Sequence, residues 1–174
     1  FPEPIDPKTL PPKDWILDGA DGRPSRIIRS LLLDTTIEED LNWKLARKYE
    51  FIKRELQMAE TYLVDDAELV VVAYGTAARI AKGALKRVRE EGLKIGLFRP
   101  ISLWPFPEEA LRELSLKTQE YLVFEMSLGQ MLEDVRLSLE GKGIIRFYGR
   151  PGGIIPTPDE LAKVITSTYY HQDH

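Results

Sequence analysis

The clearest pattern along the chain is a set of short apolar runs separated by segments with helical spacing. The run at 69–73 is continuous and mostly β-branched, which is typical of a strand buried on both faces. Further strands are predicted at 94–98, 120–124 and 144–148. Helices are predicted between and after these strands, at 77–91, 108–114, 129–140 and 158–168.

This alternation of strand and helix indicates how the strands pair. The connections between successive strands are a dozen or more residues long, which is the length that parallel pairing requires. Because such crossovers are right-handed, the helices are expected on both faces of the sheet. The pattern therefore predicts an α/β fold, a three-layer α/β/α sandwich with a mostly parallel sheet.

A longer amphipathic helix is predicted before the sheet, beginning after Asp34. Thr35 and Thr36 each precede a glutamate by three residues, which is the capping-box pattern. One face of the helix is apolar, with Leu41, Leu45, Tyr49, Ile52 and Leu56. The next segment, 57–62, is either the end of this helix or a short edge strand; a strand antiparallel to the following one is the preferred interpretation.

The first 34 residues differ from the rest of the chain. Five of the first 14 are proline, which fixes φ and cannot donate a hydrogen bond to a sheet. We therefore interpret 1–34 as an extended interdomain linker or arm. The remaining organisation is a helix and edge strand at 35–62, the sheet domain at 63–168 and a tail at 169–174.

Composition narrows the class of protein. Of 174 residues, 43% are hydrophobic, which is enough for a sizeable core, and the longest apolar run is too short to span a membrane. The net charge of −4, with both signs interspersed, argues against a nucleic-acid surface. The chain has no cysteine, and its only histidines, His171 and His174, lie in the tail, so no metal site is expected within it.

Two further features concern the origin of the chain. Charged residues reach 30%, while asparagine and glutamine together number five, which is a thermophile-like bias. The chain begins Phe-Pro-Glu-Pro, without an initiator methionine or a signal peptide. We therefore expect a fragment of a longer cytoplasmic protein.

Ligands of parallel sheets bind beyond the carboxyl ends of the strands, so the polar residues of those loops are the candidates for chemistry. They are Thr76, Arg79, Arg99, Glu125, Ser127, Gln130, Arg150 and Thr157. Thr76 follows a glycine at a helix start, and an N-cap is favoured there over a phosphate site. Arg99 and Glu125 both end strands, and a mutual ion pair is favoured over a substrate role. No nucleophile elbow, Walker loop or paired-carboxylate motif is present.

The loop that contains Arg150, Gly152 and Gly153 is the most unusual segment of the chain. Glycine permits close backbone approach, and the arginine could hold a carboxylate or a phosphate. Contact with another domain or subunit is an equally plausible use. Thr76, Arg150, Gly152 and Gly153 are therefore the candidate binding residues, as an anion site or an interface loop.

Several segments resemble a known family. They are VVVAYGTAAR (70–79), GLKIGLFRP (92–100), LWPFP (103–107), VFEM with GQM (123–131), and FYGRPGG with IPTP (147–158). They are similar to the transketolase-type C-terminal domain of the α subunit of 2-oxoacid:ferredoxin oxidoreductases, the 2-oxoisovalerate type above all. Upstream, DGADGRP (18–24) and SLLLD (30–34) resemble the linker between the two domains of those subunits.

The resemblance implies a function for the parent complex rather than for this chain alone. The family oxidatively decarboxylates 2-oxoacids with thiamine diphosphate and Mg²⁺, passes electrons through iron–sulfur clusters to ferredoxin, and transfers the acyl group to coenzyme A. This chain lacks the family's diphosphate motif and any thiolate, so no cofactor and no catalytic residue is assigned to it.

The expected role is thus a structural and assembly domain that is inactive alone. Its expected partners are the N-terminal domain of the same subunit and the other oxidoreductase subunits. The apolar stripe of the long helix lies either on one face of the sheet domain or against a partner, which is the catalytic domain or a second copy. We expect a homodimer of this chain, with residues 15–60 in the interface. The alternative function is a binding or regulatory module for coenzyme A or a nucleotide.

Overall fold

The computed structural model describes residues 3–13, 15–16, 19–27 and 29–171, so the end of the predicted tail lies outside the described residues. The chain divides into two compact units, 1–45 and 46–174. The first unit contains a 3₁₀ turn at Pro7–Thr9. It also contains a loop in which Arg23 and Arg26 both donate to the carbonyl of Ile16.

The first long helix, α1, spans Thr35–Glu55. Its N-cap is Asp34, whose Oδ1 accepts hydrogen bonds from Thr36 N at 2.9 Å and from Ile37 N at 3.1 Å. The capping box predicted at Thr35 and Thr36 is therefore wrong. The aspartate one residue earlier already satisfies the free amides of the first turn, and both threonines lie inside the helix.

The second unit is a five-stranded sheet with helices between the strands. The strands are β1 (Ala59–Tyr62), β2 (Leu69–Val72), β3 (Ile95–Pro100), β4 (Glu120–Glu125) and β5 (Ile144–Gly149). The helices are α2 (Gly75–Glu90), α3 (Glu108–Leu114), α4 (Gln130–Leu139) and α5 (Pro158–Tyr169). The strand order is β1-β3-β2-β4-β5, and all neighbours except β1 and β3 are parallel.

The edge strand β1 pairs with β3 rather than with β2, its neighbour along the chain. The predicted pairing with the following strand is therefore wrong. Both edges of β2 are occupied by β3 and β4, whereas one edge of β3 remains open. Strand β1 covers that open edge, with Glu60 opposite Arg99 in the register.

The core consists of two apolar layers, one on each face of the sheet. Leu69 and Val71 pack with the buried residues of α2 and α5. The alternate residues Val70 and Val72 pack with those of α3 and α4 on the other face. This division confirms the predicted three-layer sandwich, because each helix pair covers one face of a sheet that is buried on both sides.

Among the described residues, no helix is both long and apolar enough to cross a membrane.

Candidate functional site

The polar residues at the carboxyl ends of the parallel strands are the starting point for a site. Thr76 follows β2, Arg99 lies near the end of β3, Glu125 ends β4 and Arg150 follows β5. The strand order places β2 beside β3, so Thr76 and Arg99 lie at neighbouring positions. Arg150 follows the opposite edge strand, two strands away from β2. The candidate residues therefore belong to two separate places along the sheet edge.

The turn after β2 opens directly into α2. The helix begins at Gly75, and its N-cap is Tyr74, which makes no side-chain capping hydrogen bond in the described chain. Thr76 thus lies in the first helical turn, and its predicted role as N-cap is wrong. Gly75 has φ +53°, a value that glycine adopts readily, and this bends the chain into the helix one residue before the threonine.

A basic cavity lies beside this end of α2. It has a volume of about 530 Å³ and is lined by Gly75, Thr76, Ala78, Arg79, Lys82 and Arg99. Three of these side chains are cationic: Arg79 and Lys82 come from α2, and Arg99 comes from β3. Arg79 and Lys82 are three residues apart on α2 and therefore share a face of the helix.

The carboxylate of Glu60 lies between two of these cations. Its Oε1 accepts from Lys82 Nζ at 2.5 Å, and its Oε2 accepts from Arg99 Nη1 at 2.9 Å. These contacts, with the hydrogen bond from Lys82 the largest, hold the pKa of the Glu60 carboxyl below its usual value. Glu60 is therefore an internal counterion for the basic cavity.

Arg99 pairs with Glu60 and not with Glu125, so the predicted Arg99–Glu125 ion pair is wrong. Arg99 lies on β3 and Glu125 on β4, and β2 lies between these two strands. Glu125 is instead completely buried. Its carboxylate accepts from Ser127 Oγ at 2.6 Å and from the backbone N–H groups of Met131 and Leu132 at 3.2 Å. It therefore satisfies the free amides at the start of α4.

Arg150 is also engaged within the domain. Its guanidinium forms an ion pair with Glu160 of α5 and donates to the hydroxyl of Tyr148 at 3.0 Å. The Tyr148 hydroxyl donates in turn to Glu160 at 2.9 Å. These contacts fasten the start of the loop after β5 to α5. Gly152 and Gly153 both have positive φ, and Ile154 and Ile155 after them are exposed.

Part of the basic cavity was predictable from the sequence, and two of its charged groups, Lys82 and Glu60, were not predicted. Thr76, Arg79 and Arg99 follow from the rule that ligands meet strand ends. Lys82 lies about two helical turns beyond the start of α2, although its spacing from Arg79 was a usable signal. Glu60 carried no signal, because only the pairing of β1 with β3 brings it beside Arg99.

A metal site is not evident in the described part of the chain. No group of three or more histidine, cysteine, aspartate or glutamate side chains there could hold an ion. The basic cavity, with three cations of which only two are paired with a carboxylate, is suited to an anion instead.

The fold defines the class of protein first. A chain of the solved 2-oxoglutarate:ferredoxin oxidoreductase from Magnetococcus marinus, with 2-oxoglutarate, coenzyme A and succinyl-CoA bound, superposes with a TM-score of 0.65 at 20% identity. The match covers 79% of this chain and 24% of that one. A split-gene transketolase, an inactive β4 tetramer, superposes with a TM-score of 0.52 at 16% identity, over 67% of this chain and 42% of that one. The domain therefore has the transketolase C-terminal-like fold that the sequence predicted.

The sequence then defines the family. Residues 67–161 match the pyruvate:ferredoxin oxidoreductase core domain II, and the chain belongs to this family. The ketoisovalerate oxidoreductase subunit VorB of Methanothermobacter thermautotrophicus is 39% identical over 155 residues. That alignment covers 88% of this chain and 44% of the relative, so the chain spans less than half the length of this curated relative.

Proposed function

We propose that this chain is the C-terminal structural and assembly domain of the α subunit of a thiamine-diphosphate-dependent 2-oxoacid:ferredoxin oxidoreductase. The observation that carries the proposal is the match of residues 67–161 to core domain II of the pyruvate:ferredoxin enzymes. The complex would convert a 2-oxoacid, coenzyme A and oxidised ferredoxin into acyl-CoA, carbon dioxide and reduced ferredoxin. The similarity to a ketoisovalerate oxidoreductase subunit favours a branched-chain 2-oxoacid.

The proposed domain has no catalytic residue of its own. Its buried carboxylate, Glu125, caps a helix, and Arg150 is tied to Glu160. The described residues offer no carboxylate cluster for the Mg²⁺ that accompanies thiamine diphosphate, and they do not fit that cofactor. The 174 residues contain no cysteine for an iron–sulfur cluster. Thiamine diphosphate, Mg²⁺ and the clusters would therefore lie on other parts of the complex.

A turnover assay tests this assignment. The purified chain, mixed with 2-oxoisovalerate, thiamine diphosphate, Mg²⁺, coenzyme A and a dye acceptor, is expected to reduce no dye above the rate without protein. An intact 2-oxoacid:ferredoxin oxidoreductase in the same mixture is the positive control. Dye reduction by this chain that depends on the 2-oxoacid and on coenzyme A would contradict the proposal.

We propose that the loop after β5 contacts a neighbouring domain or subunit. Ile154 and Ile155 are 53% and 65% exposed, and they directly follow two glycines. Burial of these apolar side chains against a partner would lower the free energy of the complex. Arg150 supports this role by holding the start of the loop on α5. The partners proposed for the domain are the N-terminal domain of the same subunit and the other oxidoreductase subunits.

We also propose that the chain by itself forms a homodimer through residues 15–60. No residue of α1 is buried, although the helix carries an apolar stripe. Leu56, which ends this stripe, is 51% exposed, and Trp43 on another face is 60% exposed. Apolar surface of this kind favours association, and a symmetric pair is its commonest form.

Sedimentation equilibrium at micromolar concentration measures this association. The wild-type chain is expected at twice its mass of 19.9 kDa. Leu56→Glu places a charge in the proposed interface and is expected to give monomers, because an unpaired buried charge disfavours the dimer. Leu116→Glu is the matched control, since Leu116 is 81% exposed and lies outside residues 15–60. A monomeric wild-type chain would refute the homodimer.

A further inference from the structure

The basic cavity carries more positive charge than its internal counterion can neutralise. Arg79, Lys82 and Arg99 contribute three positive charges, and Glu60 contributes one negative charge, which leaves two positive charges. The surplus lies within one concave space and is not spread over a convex surface. A concave site of one charge sign concentrates ions of the opposite sign.

Two of the cations also have donors without an acceptor. Arg79 is exposed, and its guanidinium forms no hydrogen bond or ion pair with the described residues. The Nε of Arg99 is buried and has no partner among the described residues, although its Nη1 is bonded to Glu60. A buried donor without an acceptor is unfavourable, so an additional acceptor beside Arg99 would be stabilising.

We propose that the basic cavity binds the phosphate group of a small ligand, a phosphomonoester or a diphosphate. A phosphate dianion matches the two surplus charges, and its several oxygens match the fork of donors on an arginine. The Thr76 hydroxyl supplies a further donor. The free amides of the first turn of α2 lie at the end of the helix that borders the cavity. The volume of about 530 Å³ lies within the range of small-molecule sites, so it accommodates more than one phosphate group.

Glu60 has a defined part in this site. Its carboxylate bonds Lys82 and Arg99 at once and so holds both cations at the cavity wall when no ligand is bound. The third cation, Arg79, has no such restraint. We therefore expect Arg79 to be the cation whose contribution is most readily measured, because its removal breaks no hydrogen bond or ion pair among the described residues.

Isothermal titration calorimetry at constant ionic strength, with inorganic phosphate and inorganic pyrophosphate as separate probes, tests the proposal. Arg79→Ala is expected to weaken binding at least about tenfold, which corresponds to about 1.4 kcal/mol. Lys86→Ala is the matched control, because Lys86 is an exposed cation of the same helix that does not line the cavity. It makes the same change in net charge and is expected to leave the affinity within about twofold.

The outcomes separate a site from a general effect of charge. Saturable binding lost only in Arg79→Ala supports the proposal. Of the two ligand classes, comparable affinity for both probes indicates a phosphomonoester, and binding of pyrophosphate alone indicates a diphosphate. Equal weakening of binding in Arg79→Ala and Lys86→Ala, or no saturable heat with either probe, would overturn the proposed phosphate site. The proposal does not depend on the oxidoreductase assignment, since neither probe is a substrate of that reaction.

Discussion

Replacing Glu125 with alanine is expected to lower the free energy of unfolding by about 3–5 kcal/mol. The carboxylate has no exposed surface and accepts hydrogen bonds from Ser127, Met131 and Leu132. Alanine leaves these donors without their acceptor at the start of α4 and opens a cavity beside the core. Urea denaturation of wild type and variant measures the difference from the shift in midpoint at constant slope.

Two further variants separate the hydrogen bonds from the general effect of losing an acid. Glu125→Gln keeps the shape but places an amide N–H₂ among donors, and a loss of about 2 kcal/mol is expected. Glu133→Ala removes an exposed carboxylate from the same helix and is expected to cost about 0.5 kcal/mol. If Glu125→Ala costs no more than Glu133→Ala, the buried carboxylate does not anchor α4.

The role of Glu125 illustrates where the sequence stops being informative. The sequence places Arg99 and Glu125 correctly at the ends of two strands, and from this an ion pair is a reasonable prediction. It does not state that β2 lies between those strands. Strand order depends on which strand edges pair in three dimensions, and the sequence of a short apolar strand does not specify which strand lies beside it.

The parallel part of the sheet was predictable because its signals are local. The four-residue run of β2 is wholly apolar, and the helix after it has apolar residues at spacings of three and four. Strand β1 has the sequence Ala-Glu-Thr-Tyr, which is short and only half apolar. Strand β1 pairs with β3 because that strand has an open edge, and the local sequence of β1 does not indicate which strand edge is open.

The candidate site was predictable to the same extent. The rule that ligands meet strand ends finds Thr76 and Arg99, because both follow directly from the strand positions. The same rule gives Arg150 equal weight, although the structure engages it with Glu160. Which cations remain available depends on where the carboxylates lie. Glu60 and Glu160 reach their partners only through the tertiary fold.

Replacing Gly143 with alanine is expected to lower the free energy of unfolding by about 2–4 kcal/mol. Gly143 precedes β5 and has φ +92°, a conformation that strains any residue with a Cβ. A Cβ built there would lie 2.6 Å from the carbonyl oxygen of Gln119. This oxygen also accepts the hydrogen bond from Ile144 N at 2.7 Å, so the clash falls where β5 begins to pair with β4.

Gly141 in the same turn provides the control for backbone strain. It also has positive φ, +78°, but a Cβ built there meets nothing within 4 Å. Gly141→Ala is therefore expected to cost roughly 1 kcal/mol, the cost of the left-handed conformation alone. The difference between the two variants, measured by urea denaturation, isolates the overlap with Gln119. Equal losses in the two variants would mean that β5 moves away from β4 freely, and the close approach at Gly143 would then not be required for pairing.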